Sequence, residues 1–539
     1  MVTDYLSALN VGSGLNTTEI IDSLVNADIV PKQDIINNKI DERTVSISAL
    51  GQTQTDLTSF DTNLSAIEGM TGLTASSSGT AVSIAVTDSS IANEFTHDIE
   101  ISNIATAQTL VFDGFTSEDD ELGAGSLAIS FGTWSGGSFT QNSASSQTIT
   151  ISDGSDTLAD VRNAINDADI GLTASIIQVD TSSYSLMIKA STGLDNAIQM
   201  VATETVNGTG LADLDYSSFD SDTELVAALD ASFTLDGIDI TRDTNTITDL
   251  LDGMTLTLNA ATSSAETIAS SYSSSEAFTV MQALVDEINT LGSSLRALSQ
   301  RGLNGAEDGP LVGDPIIAKL LSSLRTVTTD AINGFGNDAV YMATFGVQTL
   351  KDGSITLDED TFVDAFDDDP TSFAAMVMDR FTASTSSVEV SVTGTDWVGG
   401  AYDLVYTDAS DVTIDSVAMT QSGTVYTSSS GSTDGLILDI GSNVSSATVY
   451  LGRSALSALR LSIADYLITS SDIDDKISSY TDDVSDYEMD LDVLSERMET
   501  LRDSYTQRFS SMNAVLESSK SSGTFLTNMM DAWKNNLKS

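Results

Sequence analysis

Apolar residues recur at three- and four-residue steps near both ends of the chain and at two-residue steps between them. Near the start, Ile20, Ile21, Leu24 and Val25 follow Asn16-Thr17-Thr18-Glu19, whose side chains suit a helix N-cap. Pro31 then predicts the first turn of a second helix, striped by Ile36, Ile40, Ile47, Leu50, Leu57 and Leu64. That stripe is longer than an average globular helix needs, which points to a coiled coil or long bundle. From residue 81 to about 259 the period is two, with Gly, Asn, Asp and Ser in the breaks. Such segments predict half-buried antiparallel strands. One helix interrupts them, with Leu158, Val161, Ile165 and Ala168 on one face. Helical spacing returns over residues 275–298 and 316–327. A hairpin follows around Lys351-Asp352-Gly353-Ser354, and a helix is expected to begin near Pro370. Residues 388–451 alternate again and predict a further small β domain.

The last segment has the strongest periodicity. Ile477, Val484, Leu491, Met498, Tyr505 and Met512 fall seven apart. Ile473, Tyr480, Tyr487, Leu494, Leu501 and Val515 fill the second register, with Arg508 as the one charged break. This predicts a coiled-coil helix, with the helix carrying Ile36 to Leu64 as the obvious antiparallel partner in the same chain.

Composition narrows the function. The 539 residues carry 79 acids against 21 Lys and Arg, a formal net charge of −58. Neither nucleic acid nor an anionic membrane attracts such a surface. Between Thr44 and Leu295 the only bases are Arg162, Lys189 and Arg242, so the middle of the chain is almost purely anionic. No run of 18 apolar residues occurs, so no membrane insertion is expected. The first ten residues lack the basic and apolar regions of a conventional signal peptide, so none is expected to be cleaved. With no cysteine and a single histidine, His97, thiolate sites and Ser/His/Asp systems find no support. His97 reads as a surface or edge-strand residue. Acidic clusters such as Asp367-Asp368-Asp369 lack calcium-loop spacing, and Gly-rich pieces lie between strands rather than before a helix. The expectation is no enzyme, no catalytic residue, no cofactor and no metal.

Several ordered segments resemble one family. Gly12-Ser13-Gly14-Leu15-Asn16-Thr17 followed by Ile20, Leu24 and Pro31 is similar to the N-terminal signature of the flagellar hook-associated protein 2 family. Residues 47–51, 95–110, ending in Ala107-Gln108, and 157–176 resemble later parts of the same family, as do 233–258, 309–314, 345–358 and 494–513. Residues 388–451 do not match and read as an insertion.

The resemblance implies an α+β multidomain fold: N- and C-terminal helices form a coiled-coil or bundle leg, with antiparallel β-rich heads inserted between them. The expected division is a docking helix and tail over 1–35 and a leg helix over 36–75, packed with 270–385 and 453–470. An inner head joins 76–112 with 232–262, and an outer head spans 113–231. A helical bundle with its hairpin covers 263–385, an inserted β domain 386–452, and a coiled coil and tail 453–539. By the same resemblance the protein caps the distal tip of the bacterial flagellar filament, promotes flagellin folding and polymerisation, and prevents monomer leakage. Expected partners are other copies of itself in a closed ring, a pentamer, then flagellin, the hook–filament junction protein and an export chaperone. A host or surface glycan is a further candidate. Export through the flagellar type III pathway would place it outside the cell. The leg interface is expected at Leu50, Leu57, Leu64, Ile477, Val484, Leu491, Leu494, Met498 and Leu501, and terminal docking at Leu6, Leu9, Asn535 and Leu537. Two alternatives stay open: an extracellular adhesin with acidic β domains, and a flagellin or junction-type axial protein.

Overall fold

The computed structural model describes residues 16–205, 210–302 and 306–536. Its longer helices are α1 (Thr17–Ile67), α2 (Leu158–Asp167), α3 (Ser274–Ser299), α4 (Pro315–Val327), α5 (Glu359–Asp368), α6 (Ala455–Leu467) and α7 (Asp472–Asn536). Every strand pair formed among the described residues is antiparallel.

Pro31 does not divide the first helix. It lies inside one 51-residue helix that runs on from an Asn16 cap, whose Oδ1 accepts the Glu19 N–H at 3.3 Å. Proline removes one backbone donor there, but the site is exposed, so water satisfies the freed carbonyl and the packed flanks hold the helix together. The helix expected near Pro370 also differs. α5 starts from an Asp358 cap that accepts the Thr361 N–H. It ends before that proline because the residue preceding a proline is disfavoured in helical conformation, and Asp369 there is non-helical at φ −147° and ψ 85°. Pro370–Phe373 is a short 3-10 turn that leads into Ala374–Val377.

The inner head is a five-stranded sheet in the order Leu73–Ser77, Glu266–Tyr272, Phe95–Asn103, Ala231–Leu235, Ile238–Arg242, backed by a three-stranded sheet. His97 is therefore on the central strand of the five, not an edge. It is half-buried, stacks on Phe95 and lies 2.7 Å from Asp236 Oδ2. The outer head has one sheet ordered Glu224–Val226, Ala107–Phe115, Ser183–Thr192, Thr173–Asp180, and a second built on Gly125–Ser135. α2 closes their shared core with Leu158, Val161 and Ile165, held by a capping box between Thr157 and Asp160.

Three boundaries differ from the sequence reading. Ala107–Phe115 already belongs to an outer-head sheet, so the inner head ends sooner than residue 112. Glu266–Tyr272 completes the inner head rather than opening the bundle. Arg380–Ala383 pairs with residues 449–452, so the inserted β domain begins before residue 386. Glu266–Tyr272 is rich in Ser and Thr and Arg380–Ala383 is only four residues long, while Ala107–Phe115 is a nine-residue strand like any other, so only the pairing partners reveal where the three belong.

The inserted domain is bracketed by two arginines. Arg380 lies over the Phe335 ring at 5.3 Å and donates to the Phe335 carbonyl. Arg453 lies 4.1 Å over Trp397 and donates to the Thr395 carbonyl at 2.8 Å. Just inside this neck the strands are already adjacent, since the Ser384 N–H donates to the Thr448 carbonyl at 2.9 Å. Replacing residues 385–447 with a short Gly/Ser linker is therefore expected to shift the calorimetric transition of the remaining chain by a few degrees at most. Aggregation, or a much lower cooperative transition, would mean that the insertion shares a core with the leg.

Candidate functional site

The two ends of the described chain lie side by side in antiparallel helices. Gln54 Nε2 donates to Asp474 at 2.7 Å, Arg43 to Asp483 at 2.9 Å and Arg502 to Asp22 at 2.6 Å, so positions fall along α1 as they rise along α7. The Gln54 and Ser471 hydrogen bonds hold the Asp474 carboxyl below the usual carboxylate range.

This pair rests on two separate cores. Near the heads, Leu50, Leu57 and Leu64 are fully buried with Met281, Leu284 and Val285 of α3, and with Leu459 and Ile463 of α6. α7 enters that core through Ile473, with Ile477 and Tyr480 packed against it. Far from the heads, Ile21, Val25 and Ile29 pack against Leu494, Met498, Leu501, Tyr505 and Phe509. Leu50, Leu57 and Leu64 therefore do not share an interface with Leu494, Met498 and Leu501, although the heptad reading groups them. An antiparallel helix of about 1.5 Å rise per residue carries the far end of α7 past α1 to residues 21–29. Phe509, not Arg508, takes the next inward position, which keeps the charge out of the seam.

Between these cores the contacts are weaker. Val484 and Leu491 are half-buried, as are Ile36 and Ile40. Lys39 lies 5.1 Å over the Tyr487 ring and Arg43 4.5 Å over Tyr480. Such cation–π contacts contribute roughly 0.5–1 kcal/mol each at exposed sites, less than a buried leucine.

α7 is fixed to the bundle by an ion pair that periodicity does not single out. Lys476 Nζ lies 2.5 Å from Asp314 Oδ2, and Asp314 also caps α4 by accepting the Ile316 N–H at 2.8 Å. The Asp314 side chain is only 4% exposed. Asp314→Ala is expected to cost about 3 kcal/mol in urea unfolding, because it strands a cation and removes a cap. Asp314→Asn, which can still cap, should fall between that variant and the parent. A loss under about 0.5 kcal/mol would place the pair among solvent-screened surface contacts.

Beyond Phe509, α7 continues with its apolar residues in solvent. Val515, Phe525, Leu526, Met529, Met530 and Trp533 are exposed, and the heptad positions Met512 and Val515 face no partner among the described residues. Of the docking positions expected from sequence, Leu6, Leu9 and Leu537 lie outside the described residues. Asn535 lies in the last turn of α7.

The heads join the leg at Gly69 and Gly72. Gly72 has φ +78°, and a Cβ there would stand 2.7 Å from the Ala277 Cβ, so only glycine fits this crossing. Among the described residues no three His, Asp or Glu side chains are grouped to hold a metal ion, and no helix is long and apolar enough to cross a membrane.

Two family models match this chain. One described as the flagellar hook-associated protein 2 N-terminus covers residues 13–108, and one described as its C-terminus covers residues 228–521. The chain is 28% identical over 386 residues to flagellar hook-associated protein 2 of Escherichia coli, spanning 69% of this chain and 80% of that relative. It is 31% identical over 228 residues to the Salmonella typhimurium protein of the same name, spanning 39% of this chain and 46% of the relative. A crystal structure of the flagellar cap protein FliD from Escherichia coli aligns with a TM-score of 0.47 at 26% identity, covering 61% of this chain and 90% of that one.

Proposed function

The chain belongs to the flagellar hook-associated protein 2 family and caps the flagellar filament, and we propose that it does so by docking its two-helix leg on the filament end while its β heads face outward. The observation that carries this reading is the end of α7. A helix that leaves its own partner with Val515, Phe525, Leu526, Met529, Met530 and Trp533 exposed has an apolar face to bury elsewhere.

In this reading the partner is the distal end of the flagellin filament, and Asn535 with the terminal Leu6, Leu9 and Leu537 extends the docking surface. The weakly held zone around Lys39, Arg43, Tyr480 and Tyr487 lets each leg swing, so that one insertion gap opens at a time for an incoming flagellin subunit. The mechanism is steric and non-covalent: subunits gather in a small closed ring, a pentamer, whose heads keep unfolded flagellin in place until it folds and inserts. Arrival through the flagellar export channel, with a chaperone before export and the junction protein below the filament, completes the proposal. No observation favours the adhesin or flagellin readings, and glycan binding by the heads is left to the inserted domain as a candidate.

Electron microscopy of a strain lacking this chain tests it. The expected result is short or missing filaments with free flagellin in the medium, reversed by restoring the full chain. Normal filaments would point to an adhesin. Absence of both filament and released flagellin would point to flagellin itself.

A further inference from the structure

The outer head holds an aromatic cleft of about 630 Å³, lined by the end of the strand Gly125–Ser135 and by parts of residues 194–197 and 219–228. Trp134 and Phe219 form one corner, their ring centroids 6.2 Å apart and their planes tilted by 57°. Leu194, Ala197 and Ala227 belong to the remaining wall. The turn beside Trp134 runs through Gly136 and Gly137 at φ +57° and +81°, so no side chain closes the cleft on that side.

The walls are fixed by the head itself. The Trp134 indole N–H donates to the Ile198 carbonyl at 2.9 Å, and its ring packs against Phe139 at 5.0 Å and edge-on against the buried Tyr216 at 5.4 Å. Phe219 keeps 42% of its surface exposed. Of the lining side chains only Trp134 and Glu224 carry polar atoms, and the Trp134 donor is already used. Gln108 is fully buried. It donates its amide to Glu224 Oε1 at 2.6 Å, while its own Oε1 accepts the Ile198 N–H at 2.6 Å. The Glu224 carboxylate is thus held in place, yet no base stands beside it. Arg162 and Lys189 are the only bases over residues 113–231, neither lines the cleft, and Arg162 lies 3.7 Å from Glu118.

Aromatic faces beside an unpaired carboxylate attract a cation. A primary ammonium or a guanidinium brings several donors, and this lining offers them a single acceptor side chain. A sugar needs several hydrogen-bond partners as well. A quaternary ammonium brings no donor, only methyl groups around a positive charge, so an apolar wall costs it no hydrogen bond. The net charge of −58 also concentrates cations at the surface of this chain.

We propose that the outer head binds a quaternary ammonium group in this cleft, with its methyl groups against Trp134 and Phe219 and its charge facing Glu224. The group is carried either by a free solute such as choline or by a trimethylated lysine on a partner polypeptide. No residue of the leg takes part, so the site stands apart from the docking reading above.

Calorimetric titration of the full chain with choline, and with its uncharged isostere 3,3-dimethylbutanol, tests this. Choline is expected to bind about tenfold more tightly than the isostere. F219A and E224Q, each checked for an unchanged melting transition, should both weaken choline about tenfold. E224Q keeps an oxygen for the Gln108 amide, so it removes the charge without the hydrogen bond. A peptide with one trimethylated lysine separates the sources: tighter binding than choline assigns the site to a modified polypeptide, and binding no tighter assigns it to the free solute. Choline bound no better than its isostere, an unmethylated peptide bound as tightly as the trimethylated one, variants that titrate like the parent, or no binding of either probe would each overturn the proposal.

Discussion

Ending the chain after Leu491 is expected to abolish filament growth while leaving the heads folded. The cut spares Ile473, Ile477 and Tyr480, through which α7 enters the large core, and it spares the Lys476–Asp314 pair. It removes Leu494, Met498, Leu501, Tyr505 and Phe509, the partners of Ile21, Val25 and Ile29, together with the exposed face that ends at Trp533. The head cores contain no residue of α7, so near-native circular dichroism and a retained head unfolding transition are expected from the purified truncated chain. In the deletion strain the same gene should restore no filaments and leave flagellin in the medium. Filaments of normal length from this truncation would show that docking lies elsewhere than the far half of the leg.

A second large effect separates the two cores of the leg. Leu57 is fully buried among α1, α3 and α6, so Leu57→Ala leaves a cavity with little room to collapse, at a cost of roughly 2–5 kcal/mol. Leu494 is only half-buried in a pair of helices that can close around the gap, so Leu494→Ala should cost well under half as much. Urea unfolding followed by far-ultraviolet circular dichroism measures both. The functional ranking is expected to be the reverse of a simple stability ranking: Leu494→Ala, though nearly as stable as the parent, should lower filament length by loosening the docking half of the leg. Equal costs at the two positions would mean that α1 and α7 share one continuous core, contrary to the separation seen between Leu64 and Ile29.

Much of the fold was legible in local pattern. The stripe Leu158, Val161 and Ile165 appears as α2, the hairpin around Asp352-Gly353 joins Val347–Thr349 to Ile355–Leu357, and α3 and α4 begin and end within about a residue of the predicted spans. Each of these elements is decided by caps, turn residues and burial periodicity within some ten or twenty residues, which is the range over which sequence pattern acts. The family was legible for a related reason: its short motifs recur in order from Gly12 to Asn513.

What sequence pattern determined by itself was thus the kind of each element, the anionic and cysteine-free character of the surface, and the membership of the chain in a family of filament caps. Which elements meet was decided only by tertiary structure. A heptad at Leu494 and Met498 states that those side chains need burial, but Ile21 and Leu57 offer apolar stripes of the same kind, and only the antiparallel overlap of two long helices selects Ile21. Pro31 stays inside a helix because packing on both sides outweighs the loss of one exposed hydrogen bond. The strand Thr173–Asp180 becomes an edge because no third strand lies beyond it, a fact of pairing between distant segments. Burial is a sum over neighbours brought together from all along the chain, so its direction can be read from periodicity but its partner cannot.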